Sequence, residues 1–180
     1  MLFIALAVAA SATTTVSGTG FHFHRPGLFV TNNHVVERAD ELYVSLDGQA
    51  CPARVLKHDD ANDLALLTLE SGCALDELGP PLVARGLGLS RMGETSLVLG
   101  YPLAETFELN PVASEGMVKS VSGLSGNPTR LTISNALLPG NSGGPVIDGE
   151  GRLMGVAVAV ANPAYFYEHQ GTLATSLNFA

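Results

Sequence analysis

One serine stands among residues that would let its hydroxyl react: Ser142, in Gly140-Asn141-Ser142-Gly143-Gly144-Pro145. A nucleophilic serine needs an approachable Oγ and backbone N–H groups aimed where an oxyanion develops. Flanking glycines adopt backbone angles closed to other residues and remove side chains that would block an incoming carbonyl. The apolar Val146-Ile147 follows at once, so the segment alone reads equally as a Gly-rich turn between two strands.

A serine hydroxyl also needs a base to take its proton and an acid to hold that base in the right tautomer. Val30-Thr31-Asn32-Asn33-His34-Val35-Val36 places His34 at the end of an apolar strand, where its ring could face a cleft. Asn62-Asp63-Leu64-Ala65-Leu66-Leu67 places Asp63 immediately before a strongly apolar strand. Partly buried there, its carboxylate would accept from His34 Nδ1–H and leave Nε2 free for the Ser142 proton. Each residue alone is commonplace. In the order His, Asp, Ser, with glycines around the Ser, they point to acyl transfer. The hexapeptide also fits the Gly-x-Ser-x-Gly nucleophile elbow, which requires a following helix and a later acid and His. Here a strand and a turn follow. The only later acids near a histidine, Asp148, Glu150 and Glu168 with His169, lie near the end of a chain without alternating helices. An elbow is excluded.

The elements that would position these groups are short strands. Hydrophobic residues make up 46% of the 180 and charged residues 14%, enough for a real core and too apolar for a disordered chain. Twenty Gly and ten Pro punctuate short runs rich in Val, Leu and Thr, and no run has a convincing helical period. The class expected is all-β. Strands are expected near Thr13 to Phe23, Gly27 to Thr31, Glu41 to Ser45, Cys51 to His58 and Leu64 to Leu69. After a linker around Gly79 to Gly93, further strands are expected near Thr95 to Gly100, Ala113 to Ser122, Thr129 to Ser134, Pro145 to Ile147, Leu153 to Ala161 and Ala174 to Phe179. Two small packed β-barrels would account for this pattern. Nine Lys and Arg against a net charge of −8 argue against nucleic acid as a partner.

The apolar run Leu2 to Ala9, followed by Ala10-Ser11-Ala12, has the look of a signal-peptide cleavage site but lacks a preceding Lys or Arg. Phe3 to Val8 is expected to be the first strand instead, and the run is too short to span a membrane. Cys51 and Cys73 are either bridged or free buried thiols. If Ala53 to Lys57 pairs with Ala65 to Leu69 through a hairpin at Asp59 to Asp63, both fall beyond its open end. A bridge is then geometrically possible and would imply an oxidising compartment. His22 and His24 alternate on one strand, and a solvated face explains them better than a metal, since nothing supplies a third ligand. No metal and no cofactor are expected.

The stretches TNNHVV, NDLALL and GNSGGPV resemble the three signatures of the trypsin-like serine proteases, most closely the HtrA/Deg branch. Ser17-Gly18-Thr19-Gly20-Phe21 is similar to that branch's opening strand, Leu99-Gly100-Tyr101-Pro102 to its Ile-Gly-x-Pro, Gly116 to Val121 to its Gly-x-Val-Ser segment, and Leu177-Asn178-Phe179-Ala180 to its closing strand. The resemblance implies a single peptidase domain over residues 1–180 made of two six-stranded antiparallel barrels. One lobe, about 1–85, carries His34 and Asp63; the other, about 93–180, carries Ser142. It implies catalysis by His34, Asp63 and Ser142, with the N–H groups of Gly140 and Ser142 as oxyanion hole. Extended or unfolded polypeptide would add as a strand along Val158 to Ala161. The pocket before the scissile bond would be shaped by Leu137, Val160 and Ala161. No acid lies in Asn135 to Asn141, so a small or medium aliphatic side chain is expected there.

Within these 180 residues no PDZ-like segment is read, which puts regulation by such a domain in doubt, and the stretch Tyr165-Phe166-Tyr167 is unusually aromatic for the branch. A homo-oligomer stays open. The cell envelope or a secreted location is expected, with the cytoplasm as the alternative. A catalytically silent binding module and a hydrolase of small esters are the competing functions.

Overall fold

A computed structural model describes residues 3–10, 14–46, 48–70, 72–73, 79–86, 88–102, 110–160 and 178–179. Its first half is a closed barrel of six antiparallel strands: β1 (Phe3–Ala10), β2 (Thr14–His22), β3 (Leu28–Thr31), β4 (Glu41–Leu46), β5 (Gln49–Asp59) and β6 (Leu64–Leu69). The expected first strand is therefore present. β1 pairs with β2 from Phe3↔Phe21 to Ala10↔Thr14 and with β4 from Ala5↔Ser45 to Ala9↔Glu41, which closes the barrel. Alternate residues point inward, so Phe29, Val44, Leu46, Cys51, Ala53, Ala65 and Leu67 form one buried cluster.

The β5–β6 hairpin runs from Ala53↔Leu69 to Asp59↔Leu64, with a bulge between Val55 and Lys57. This is the hairpin that leaves both cysteines beyond its open end. Cys51 and Cys73 form a disulfide with their Cα atoms 6.0 Å apart.

The second half is a seven-stranded sheet in the order β11-β10-β7-β8-β9-β13-β12. Its strands are β7 (Thr95–Gly100), β8 (Val112–Ser120), β9 (Thr132–Ile133), β10 (Pro145–Ile147), β11 (Leu153–Val156), β12 (Ala159–Val160) and β13 (Asn178–Phe179). The sequence predicted six strands here, with one running from Leu153 to Ala161. That run is broken in two at Ala157-Val158, so its halves end opposite edges of the sheet. The break has a cause: Gly143 N–H donates to Ala157 C=O at 2.8 Å, and Ala157 N–H donates to Gly144 C=O at 2.8 Å. The loop carrying Ser142 takes the place of a neighbouring strand. Val98, Val118, Ile133, Val146 and Ala157 are the buried centre of this half.

The expected linker is bonded to both halves. Leu82 N–H donates to His22 C=O at 3.3 Å, and Arg85 N–H donates to Leu153 C=O at 2.8 Å. The Arg85 side chain, 9% exposed, pairs with Glu94 and lies 3.5 Å from Asp148 Oδ2, which also accepts from Arg152 Nε at 2.9 Å. Hydrogen bonding from Arg85 holds the Glu94 carboxyl below its ordinary value. Burial works to raise Asp148, but the Arg152 N–H and guanidinium and the Glu150 N–H outweigh it and lower its pKa.

His22 and His24 correct their expectation. β2 ends at His22, which is buried, with Nδ1 3.0 Å from Gly79 C=O; His24 lies in the turn beyond with φ 67°. His24 is exposed as expected but His22 is not, so the two share no solvated strand face, and among the described residues no cluster of three metal-ligating side chains occurs. No described helix is long and apolar enough to cross a membrane.

Candidate active site

His34 is carried by a helical turn, α1 (Asn33–Val36), which follows β3 directly. The sequence placed it at a strand's end; four residues are too few for a helical period to show. Val35 and Val36 turn into the barrel core and leave His34 facing outward, its side chain 44% exposed. Asp63 closes the β5–β6 turn, its side chain 24% exposed. Its φ of 55° is uncommon for a residue with a Cβ, though Asp tolerates it better than most. Two donors from the opposite segment hold it there: Asn32 Nδ2 and Asn33 N–H reach its backbone carbonyl at 2.9 and 3.1 Å. The Asn33 amide also donates to Asp60 at 2.9 Å.

In this position the Asp63 carboxylate grips α1 with both oxygens. Oδ1 accepts the His34 backbone N–H at 2.9 Å, and Oδ2 lies 2.7 Å from His34 Nδ1. A carboxylate can only accept, so the proton sits on Nδ1 and Nε2 of the neutral ring is left as an acceptor.

Ser142 approaches from the other half. Gly140 and Gly143 have φ of 99° and 86°, angles that favour glycine. Gly143 packs so closely that an added Cβ would stand 2.1 Å from Thr19 C=O and 3.0 Å from Asn32 N. Thr19 N–H donates to Ser142 C=O at 2.8 Å, and Thr19 Oγ1 donates to Gly140 C=O at 2.7 Å. Among the described residues the N–H groups of Gly140 and Ser142 bond to no acceptor, so both stay available to an oxyanion.

Gly18 lies between α1 and the Ser142 loop: a Cβ there would stand 2.7 Å from Val35 Cγ1 and 3.2 Å from Ser142 O. No hydrogen bond joins Ser142 Oγ to His34 among the described residues. In sites of this kind that bond often tightens only with substrate bound.

Of the expected substrate-binding residues, Leu137 packs against the second core and Val158 is buried. Val160 belongs to β12, while Ala161 and the aromatic stretch at 165–167 lie outside the described residues. Thr19 and Asn32, fully buried, were missed from sequence. Asn32 showed only as a polar residue after an apolar strand, and Thr19 is one of three threonines in β2.

The family model of the trypsin-like peptidase domain matches residues 18–156, which contain His34, Asp63 and Ser142. An uncharacterized protein of Sinorhizobium fredii, y4bJ, is 36% identical over 165 residues, covering 91% of this chain and 25% of that protein. A Chlamydia pneumoniae protein named as a probable periplasmic serine endoprotease, DegP-like, is 31% identical over 148 residues, covering 81% of this chain and 29% of its own. The chain thus spans between a quarter and a third of these relatives' length. The crystal structure of the serine endoprotease from Yersinia pestis superposes with a TM-score of 0.75 at 21% identity, covering 99% of this chain and 57% of that one, and shares its fold. With the family model matched over well more than half its length, the chain belongs to the trypsin-like peptidase domain family, in its DegP/HtrA-like branch.

Proposed function

We propose that this domain is a serine endopeptidase that cleaves extended or unfolded polypeptide, and that His34, Asp63 and Ser142 are its catalytic residues. The observation that carries the proposal is the two-oxygen grip of Asp63 on His34, which fixes the tautomer that a base for Ser142 requires. His34 Nε2 takes the Ser142 proton as Oγ attacks the scissile carbonyl. The resulting oxyanion accepts from the N–H groups of Gly140 and Ser142. His34 then returns the proton to the leaving amine as the C–N bond breaks and leaves an acyl-enzyme. Water, deprotonated by the same ring, hydrolyses the ester and regenerates Ser142.

The position of β12 favours an extended substrate. Among the described residues it ends the sheet order and pairs with β13 alone, so its other edge can accept a peptide as an added strand. The family resemblance puts Leu137, Val160 and Ala161 at the pocket before the scissile bond, and with no acid between Asn135 and Asn141 a small or medium aliphatic side chain suits it. The disulfide between Cys51 and Cys73 favours an oxidising compartment, the cell envelope or outside the cell.

The test is labelling with a fluorophosphonate probe, read by intact mass, for wild type and Ser142→Ala side by side, with casein cleavage in parallel. One adduct on wild type alone, with casein degraded, is the expected result. Folded wild type that takes no adduct and leaves casein intact would overturn it in favour of a silent binding module. An adduct with small esters cleaved and casein spared would restrict the activity to ester hydrolysis.

A further inference from the structure

We infer that Thr19, a residue of the barrel half, is a positioning residue for the oxyanion loop of the other half. The inference rests on the serine-peptidase function proposed above. Thr19 is fully buried, and every hydrogen-bonding group it owns is committed. Its Oγ–H donates to Gly140 C=O at 2.7 Å, and the same oxygen accepts from Tyr101 N–H at 2.9 Å. Its N–H donates to Ser142 C=O at 2.8 Å, and its C=O accepts from Thr31 Oγ1 at 2.7 Å.

These bonds fall on two peptide planes of the nucleophile loop. One bond fixes the carbonyl of the Gly140–Asn141 peptide, and the other fixes the carbonyl of the Ser142–Gly143 peptide. The peptide between them, which carries the Ser142 N–H, is held from both sides. Gly140 needs this restraint most: at φ 99° it is a glycine with no Cβ to confine it, and its N–H must point at the oxyanion. The hydroxyl proton has one direction to go. Tyr101 N–H donates into the Thr19 oxygen, so the hydroxyl hydrogen is turned toward Gly140 C=O. Gly100 allows this approach, since a Cβ there would stand 3.0 Å from Thr19 Oγ1.

A residue in this role affects the transition state more than substrate binding. Thr19→Val keeps the shape and the backbone N–H but removes the hydroxyl; Thr19→Ser keeps the hydroxyl and removes the methyl. The experiment measures kcat and KM on a chromogenic peptide with an aliphatic residue before the scissile bond. It also measures affinity for the matching peptide boronate, whose tetrahedral adduct places an oxygen in the oxyanion hole. For Thr19→Val, kcat and boronate affinity are expected to fall together by about 10- to 100-fold with KM little changed. Thr19→Ser should remain within about threefold of wild type, because the oxygen is what matters. If Thr19→Val does not fold, Thr19→Ser against Thr19→Ala decides, since that pair differs by one oxygen. Folded Thr19→Val or Thr19→Ala with wild-type kcat, or a Ser variant as slow as the Val variant, would overturn the inference. An inactive wild type that takes no fluorophosphonate would instead sink the proposed function.

Discussion

Gly18→Ala should slow the enzyme by pushing α1 and the Ser142 loop apart while leaving both His34 and Ser142 in the sequence. Gly18 has an ordinary negative φ, so alanine meets no backbone penalty and the effect is one of space. Its Cβ would stand 2.7 Å from Val35 Cγ1, 3.0 Å from Val35 Cγ2 and 3.2 Å from Ser142 O. To reach the 3.4 Å at which ordinary contact begins, Val35 must recede by about 0.7 Å. Valine cannot relieve the contact by rotation, because χ1 is stiff in a helical turn and the side chain is buried. The Cβ cannot retreat the other way, because the Ser142 carbonyl is already close. Either α1 or the nucleophile loop moves, and each motion widens the gap that the proton must cross. Overpacking of this size costs about 1–3 kcal/mol, and a shift approaching 1 Å at reacting groups costs up to ~100-fold in rate.

The assay for Gly18→Ala is kcat/KM on the chromogenic peptide, the fluorophosphonate labelling rate and the urea midpoint. Both rates should fall by roughly 10- to 100-fold while the protein stays folded. Val35→Ala in the same chain removes the two atoms in conflict, so the double variant should be faster and more stable than the two single losses combined predict. Strict additivity of the two substitutions, or wild-type rates for Gly18→Ala alone, would refute the steric account.

Asp63→Asn should leave the fold intact and lower kcat by about 1,000- to 10,000-fold, because an amide can hold His34 in the wrong tautomer; a loss under tenfold would show that the grip of Asp63 does not control the base. Reducing the Cys51–Cys73 bridge, which closes a loop of sequence separation 22, should lower unfolding free energy by about 3 kcal/mol, and an unmoved urea midpoint in reductant would contradict this. Glu94 and Asp148 have carboxyls held below their ordinary values of 4.5 and 3.8. Their contribution to stability is therefore full above those values and is lost as pH falls through the lower folded-state values. Urea midpoints for wild type and Asp148→Asn should differ by a constant amount above about pH 5 and converge only as pH falls below 3.8, through the lowered folded-state value; a gap unchanged at low pH would mean that the charge of Asp148 is not what stabilises the protein.

Most strands were legible because each is a local pattern. Thr95–Gly100 and Pro145–Ile147 coincide with the expected segments, since their apolar residues face one core and Gly or Pro marks their ends. What stayed hidden was set by distant partners. The break at Ala157-Val158 follows from two hydrogen bonds to Gly143 and Gly144, and nothing in the run itself announces it. His22 is buried because the chain near Gly79 returns across it. The site divides in the same way. His34, Asp63 and Ser142 each sit in a distinctive local stretch, whereas Thr19 meets Gly140 across 121 residues and reads in sequence as one more strand threonine.

That division implies two separable links between the halves of the molecule. One runs through β2 at the site, where Gly18 spaces α1 from the Ser142 loop and Thr19 holds the carbonyls on either side of the nucleophile. The other runs through the linker, where Leu82 bonds to His22 and Arg85 joins Leu153, Glu94 and Asp148. Only the first touches the nucleophile loop, so changes there should alter kcat at modest cost in stability. The second touches no catalytic side chain, so Asp148→Asn should lower the urea midpoint with kcat per folded molecule unchanged. A buried charge that loses one partner leans harder on those that remain, and here Arg85 would keep Glu94 alone as its carboxylate partner, with its Nε lacking an acceptor among the described residues. Were Asp148→Asn to slow catalysis as much as Thr19→Val, the two links would be one coupled element, and the relative placement of the halves would control the oxyanion loop.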